Sequence, residues 1–221
     1  MPPFAKLVVF HPSPNLVDMV DGLLRKLAPS IPYENLIVPD LLDRAIRQGV
    51  SPEIIEEVAT IVASVPLEPT PLIFCTCSTL GGHAERAGQK LGRSVIRIDR
   101  PMAEQAIKLG QKIGVAAALA STIAPTSDLL QEVADERQKP IEIGTILCDE
   151  AWAHKVRGDN AAYIAEVARC LERVAKEFDV IVLAQGSMAP AKELLVHLQV
   201  PVITSPDLGV ERVVQMMSAQ E

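Results

Sequence analysis

Residues 94–107 read SVIRIDRPMAEQAI and residues 201–214 read PVITSPDLGVERVV. Each stretch opens on an apolar, strand-like run, turns at a proline and continues as an amphipathic helix, in the same register. Other landmarks keep nearly the same offset: Val8 to Val115 is 107 residues, Asp40 to Asp149 is 109, Cys77 to Gln185 is 108 and Ile96 to Ile203 is 107. Regular spacing is ordinary in α/β chains. A drift of two residues over four landmarks points instead to an internal duplication.

The segments between these landmarks alternate in kind. KLVVF (6–10), NLIV (35–38), PLIFC (71–75) and SVIRI (94–98) read as strands of a first half. KIGVAA (112–117), IGTIL (143–147), VIVLA (180–184) and PVIT (201–204) read as their counterparts in a second. Helical patterns lie between them: Asn15 to Leu27, a helix capped by Ser51 and opened by Pro52, Gly82 to Leu91, and Met102 to Leu109. Further helices start near Pro125, Asn160, Pro190 and Leu208. Within the one from Asn160, Ile164, Val167, Ala168, Leu171, Val174, Ala175 and Phe178 step by three and four, the period of one helix face. Continuous apolar strands separated by helices predict parallel sheets covered on both faces. The expected fold is therefore α/β, with two similar half-domains, each a four-stranded parallel sheet flanked by helices, and a cleft between them. The expected boundaries are 1–99 for the first half, with the C-terminal helix (206–221) packing on it, and 100–205 for the second.

Bulk composition removes several function classes. The chain has 221 residues, is 48% hydrophobic and carries a net charge of −7. No Lys/Arg cluster stands out, so neither nucleic acid nor an anionic membrane is an expected partner. The stretch KIGVAAALASTIAPT (112–126) is too short to span a bilayer. The opening MPPFAKLVVF lacks the long apolar core of a signal peptide. Aromatic residues make up only 3% of the chain, so stacking platforms for bases or sugars are scarce. Four cysteines do not make a disulfide framework here, and a reducing cytoplasm is the simplest setting. A homo-oligomer is allowed by the sequence.

The chemistry-bearing stretch is FCTCSTLGG, residues 74–82. A metal site would use Cys75, Cys77 and His83. Structural zinc wants four ligands, and the two cysteines are expected to diverge from the strand end, so metal is disfavoured. A phosphate loop is disfavoured too, because the segment matches neither the dinucleotide nor the P-loop spacing. A helix N-terminus there would still suit an anion such as a carboxylate. Cys170 reads as core, Cys75 as core, and Cys148 as core or a neighbour of the site. Cys77 differs: it follows the strand, precedes a helix and has Thr76, Ser78 and Thr79 beside it. A helix N-terminus and hydroxyl donors favour a thiolate, so Cys77 is the candidate catalytic thiol. His11, His83 and His154 read as exposed loop histidines, and no catalytic triad order follows from their spacing. Arg47 and Lys155 lie 108 residues apart, each 30 residues before Cys77 and Gln185 respectively. Such a cation pair would suit a dicarboxylate, and two solvated charges would look the same.

Cys-Ser-Thr at 77–79, matched to VIVLAQGSM at 180–188, resembles the aspartate/glutamate racemase superfamily, which includes hydantoin racemase, maleate isomerase and arylmalonate decarboxylase. The resemblance covers essentially the whole chain. It implies two pseudo-two-fold-related halves with a cleft between them and no cofactor. In the racemases each half supplies a cysteine at a strand end, so that one thiol removes the α-proton and the other delivers a proton to the opposite face. Here Gln185 stands where the second cysteine is expected. An amide cannot titrate, although it can hydrogen-bond a substrate oxygen. The resemblance implies a substrate shell of Ser13, Asn15, Ser78, Thr79, Ser121, Thr122, Gln185, Gly186 and Ser187, with Arg47 and Lys155 as candidate cations. The expected activity is a cofactor-independent isomerase of the racemase type, acting next to the carboxylate of a small acid or amino acid, with Cys77 as acid or base. A single-cysteine decarboxylase or other lyase, and a binding protein without turnover, are the alternatives.

Overall fold

The computed structural model describes residues 4–218. The first residues of MPPFAKLVVF and the last three of the expected 206–221 helix lie outside the described residues. The chain divides into two units: one runs up to Ile98 and resumes at Pro206, and the other is Asp99–Ser205.

In the first unit, β1 (Lys6–His11), β2 (Tyr33–Ile37), β3 (Pro71–Cys75) and β4 (Ser94–Arg97) form one sheet in the order β2-β1-β3-β4. All three pairings are parallel. The central strands KLVVFH and PLIFC are buried almost throughout, as strands covered on both faces must be. Side chains alternate between faces. Leu7, Val9, Leu72 and Phe74 pack with Val20 and Leu24 of α1 (Val17–Leu27) and with Val210 and Val213 of α9 (Ser205–Ser218). Val8, Phe10, Ile73 and Cys75 pack instead under α2 (Leu41–Gln48), α3 (Pro52–Ser64) and α4 (Ser78–Leu91). Cys77 joins this second cluster. The expectation that Cys75 and Cys77 diverge is therefore wrong, because residues two apart on an extended strand share a face.

The second unit repeats the plan. β5 (Lys112–Ala117), β6 (Glu142–Leu147), β7 (Val180–Leu183) and β8 (Val202–Thr204) run in the order β6-β5-β7-β8, again all parallel. One face packs Ile146, Ile181 and Leu183 against Tyr163, Val167 and Leu171 of α8 (Asn160–Val174). α5 (Arg100–Leu109) packs on β7 and α6 (Ile123–Glu136) on β5. α7 (Asp149–Val156) follows β6 as α2 follows β2.

Four differences from the sequence reading have physical causes. α2 and α7, each eight residues long, fall below the length at which periodicity is legible. α4 begins at Ser78 rather than Gly82, so Cys77 is its N-cap. The segment Gly186–Leu195 is a 3-10 helix rather than an α-helix from Pro190, a proline having no N–H to donate inside a helix. Finally, Cys148 and Cys170 form a disulfide. Cys148 caps α7 and Cys170 lies on the buried face of α8, with Cα atoms 5.8 Å apart, within the span a disulfide bridges. Cys75 and Cys77 are not disulfide-bonded.

Candidate active site

The Cys77 turn is assembled by the sheet. After β3, the Thr76 N–H donates to the Phe10 carbonyl at 3.0 Å, which carries the β1–β3 pairing one residue past the strand. Cys77 then takes extended dihedrals (φ −132°, ψ 122°) and caps α4 without a side-chain capping bond. Its carbonyl accepts the Gly81 N–H at 2.8 Å, closing the first turn. The thiol, 6% exposed, stands where the partial positive charge of a helix N-terminus concentrates. Ser78 is partly exposed beside it, and Thr79 is buried.

Thr76 faces the other way, into a buried polar chain. Its hydroxyl lies 2.9 Å from His11 Nδ1. His11 Nε2 lies 3.1 Å from Asn35 Oδ1, and Asn35 Nδ2 donates to Asp21 Oδ1 at 3.0 Å. One assignment satisfies the chain with a neutral ring: Nε2–H donates to Asn35 and Nδ1 accepts the Thr76 hydroxyl proton. Burial holds His11 below its ordinary pKa, against the opposing pull of Asn35 and Asp21. His11 is thus the fully buried last residue of β1, not an exposed loop histidine. His83 and His154 also leave the loop reading, since both sit partly buried on helices, α4 and α7. His83 Nδ1 lies 3.1 Å from Arg86 Nη2, and burial followed by the nearby Arg86 and Arg97 charges lowers its pKa. Among the described residues, no group of three His, Cys, Asp or Glu is placed to hold a metal ion.

The second unit has the equivalent turn. Ala184 N–H donates to the Ala116 carbonyl at 2.8 Å, as Thr76 does to Phe10. Gln185 follows with nearly the dihedrals of Cys77 (φ −122°, ψ 128°) and precedes its own helical segment. Its Oε1 accepts two backbone N–H groups, from Ala118 at 2.7 Å and Leu119 at 3.0 Å. These bonds fix the amide, so that its NH2 is turned away from the backbone clamp. Ser187 shares a 3.0 Å hydrogen bond with the buried Tyr163 hydroxyl.

The remaining shell residues gather on turns at the carboxyl ends of β1 and β5. Ser13 caps the 3-10 turn Pro14–Leu16 by accepting the Asn15 N–H at 3.4 Å, and Asn15 is exposed. Ser121, exposed, and Thr122, buried, lie in the 3-10 turn Ala120–Thr122, where Thr122 Oγ1 donates to the Leu119 carbonyl at 2.9 Å. In each unit the strand before this turn adjoins the strand before the Cys77 or Gln185 turn, so each set meets at the carboxyl edge of its own sheet, where α/β sheets bind ligands. The cations lie farther along the chain. Arg47 is exposed in the last turn of α2. Lys155 donates to Asn160 Oδ1 at 2.9 Å and sits 5.5 Å from the centre of the Tyr163 ring. The His11–Asn35–Asp21 chain and Arg97 were missed by sequence reasoning, and the only hint of either was a polar residue at the end of an apolar strand.

The Asp/Glu/Hydantoin racemase family model matches residues 25–213. The chain belongs to that family. It is therefore a racemase-like enzyme. Solved structures share the fold of this family member. Glutamate racemase from Aquifex pyrophilus matches with a TM-score of 0.67 and 16% identity, over 96% of this chain and 84% of that one. Allantoin racemase from Pseudomonas fluorescens gives 0.61 and 18%, over 96% and 91%. Arylmalonate decarboxylase gives 0.57 and 16%, over 98% and 94%. A comparison with curated proteins gives no match.

Proposed function

We propose that this racemase-family enzyme moves a proton at the carbon next to the carboxylate of a small acid or amino acid, with Cys77 as the proton carrier and no cofactor. The Cys77 thiolate takes the α-proton, and the electron pair of the C–H bond passes into the adjacent carboxylate as an enolate. The thiol so formed then returns a proton to the carbon. Helix N-terminal N–H groups of α4 and the hydroxyls of Ser78, Thr79 and Ser13 would hold the carboxylate oxygens and the charge that develops on them.

The observation that carries this reading is the pair of equivalent turns: each has its residue in the same extended conformation ahead of a helix, one bearing a thiol and the other an amide. The fixed Gln185 amide also favours a second, one-sided reading. Its oxygen is held by Ala118 and Leu119, which leaves N–H donors and no titrating proton. A decarboxylase needs only one proton donor: carbon dioxide leaves, the bonding electrons stay on carbon as an enolate, and Cys77 protonates one face.

The test is incubation with single enantiomers of small amino and 2-substituted carboxylic acids, and with substituted malonates, in deuterium oxide. Magnetic resonance reads α-deuteration, chiral chromatography reads inversion, and carbon dioxide release is followed in parallel. Exchange with retention, or stereospecific decarboxylation, is the expected result. Gln185→Cys should then raise inversion and leave decarboxylation nearly unchanged. Efficient racemisation by the native protein would overturn the one-sided reading, and no exchange or carbon dioxide release with any of these acids would favour a binding protein.

A further inference from the structure

Gly81 and Gly82 follow the thiol because a side chain occupies the space beside that turn. Arg97 ends β4, and the parallel register sets it opposite Cys75 of β3. Partners in a sheet point to the same face, so Arg97 shares the face of Cys75 and Cys77. It is 4% exposed. Its Nη2 donates to the carbonyl of Ser78, the residue after Cys77, at 3.0 Å. A Cβ on Gly81 would come within 2.8 Å of Arg97 Cβ, and one on Gly82 within 3.0 Å of Nη1. The glycine pair makes room for the arginine along the first turn of α4. The Arg97 N–H in turn donates to Glu85 Oε1 on α4 at 3.3 Å, tying the same helix to the strand end.

We propose that Arg97 is a positioning residue for Cys77: its guanidinium fixes the first turn of α4 and favours the thiolate of the residue that caps it. The inference rests on the reading of Cys77 as proton carrier. A thiol this buried is otherwise driven towards its neutral form, whereas a cation nearby and a helix N-terminus favour the anion. The other charged or titratable groups on the helices over this face are His83, Glu85, Arg86 and Lys90 of α4, Glu53, Glu56 and Glu57 of α3, and Asp43, Arg44 and Arg47 of α2, with Arg44 holding Glu57 through Nη2 at 2.7 and 2.6 Å. Glu85 accepts the Arg97 backbone N–H and Arg86 lies against His83. Arg97 is the cation bonded to the turn itself.

The experiment reads the thiol, not turnover. Iodoacetamide labelling of Cys77 in the full chain is followed peptide by peptide, from about pH 6 to about pH 10, across the range of thiol titration. In Arg97→Met, labelling near neutral pH should slow about tenfold and converge with the native rate at the alkaline end, a midpoint raised by about one unit. Arg97→Lys, which keeps the charge but not the planar fork, should recover part of the shift. If Arg97→Met fails to fold, Gly82→Ala, which presses on Nη1, should shift the midpoint in the same direction by less. An unchanged midpoint in the variant that folds overturns the proposal. So does a loss of rate that is equal at every pH, which would mean altered access only. Exchange lost in Cys77→Ala alongside an unmoved midpoint would reject the role of Arg97 and leave that of Cys77. A moved midpoint with exchange intact in Cys77→Ala would do the reverse.

Discussion

Adjacent residues Thr76 and Cys77 point to opposite faces of the first sheet, and this alternation separates two tasks. Thr76 binds His11 and anchors the turn, while Cys77 presents its thiol on the α4 side. The His11 chain has a consequence for pH. Its pKa in the folded protein lies below the ordinary 6.5, chiefly because burial disfavours the cation. As pH falls below about 6.5 the unfolded chain takes up the proton first, so stability that is complete above that value drains away towards the lower folded pKa. The slope from one such group is at most about 1.4 kcal/mol per pH unit. Urea unfolding at mildly alkaline and mildly acidic pH should therefore show a steeper acid loss for the native protein than for His11→Gln. Equal slopes would mean that His11 does not stay neutral in the folded protein.

At the scale of elements, the strands were legible in the sequence, as were the starts of α3 at Pro52 and α8 at Asn160, whereas the start of α4 and the short α2 and α7 were not. PLIFC and KIGVAA announce themselves as unbroken apolar runs, and the structure has both with the expected bounds. Ser-Thr-Leu-Gly-Gly reads locally as a turn, yet it is the first turn of α4, because Arg97 fills the side that glycine leaves open. The partners of His11 and of Arg97 come from other strands and helices, and only the sheet register brings them together, so no local pattern could reveal them. The disulfide was hidden for the same reason: Cys148 and Cys170 are 22 residues apart and meet only when α8 packs beside the end of β6. Closing a loop of that size is worth about 3 kcal/mol in the chain-entropy account. Under oxidising conditions Cys148→Ala should lose roughly that much in denaturant unfolding, and under a strong thiol reductant the native protein and the variant should converge. A variant equally stable with and without reductant, beside a native protein that is also unaffected, would show that the bond does not form in solution.

At the scale of the molecule, the two units share one plan, so one half informs the other. Both sheets have the same strand order, and the residues after β3 and β7 adopt the same backbone conformation. In that shared frame the exchange of a thiol for a clamped amide changes the chemistry of the position, although an α-helix follows Cys77 and a 3-10 helix follows Gln185. Cys77 is therefore the residue on which the proposed chemistry turns. The most direct measurement is solvent deuterium incorporation, or stereospecific protonation after decarboxylation, for the best acid of the substrate series with native protein and with Cys77→Ala. Removing a positioned acid–base group costs typically about 10²–10⁴-fold. A loss of that size, with circular dichroism and substrate binding retained, is the predicted result. Turnover in Cys77→Ala equal to that of the native protein would contradict the assignment.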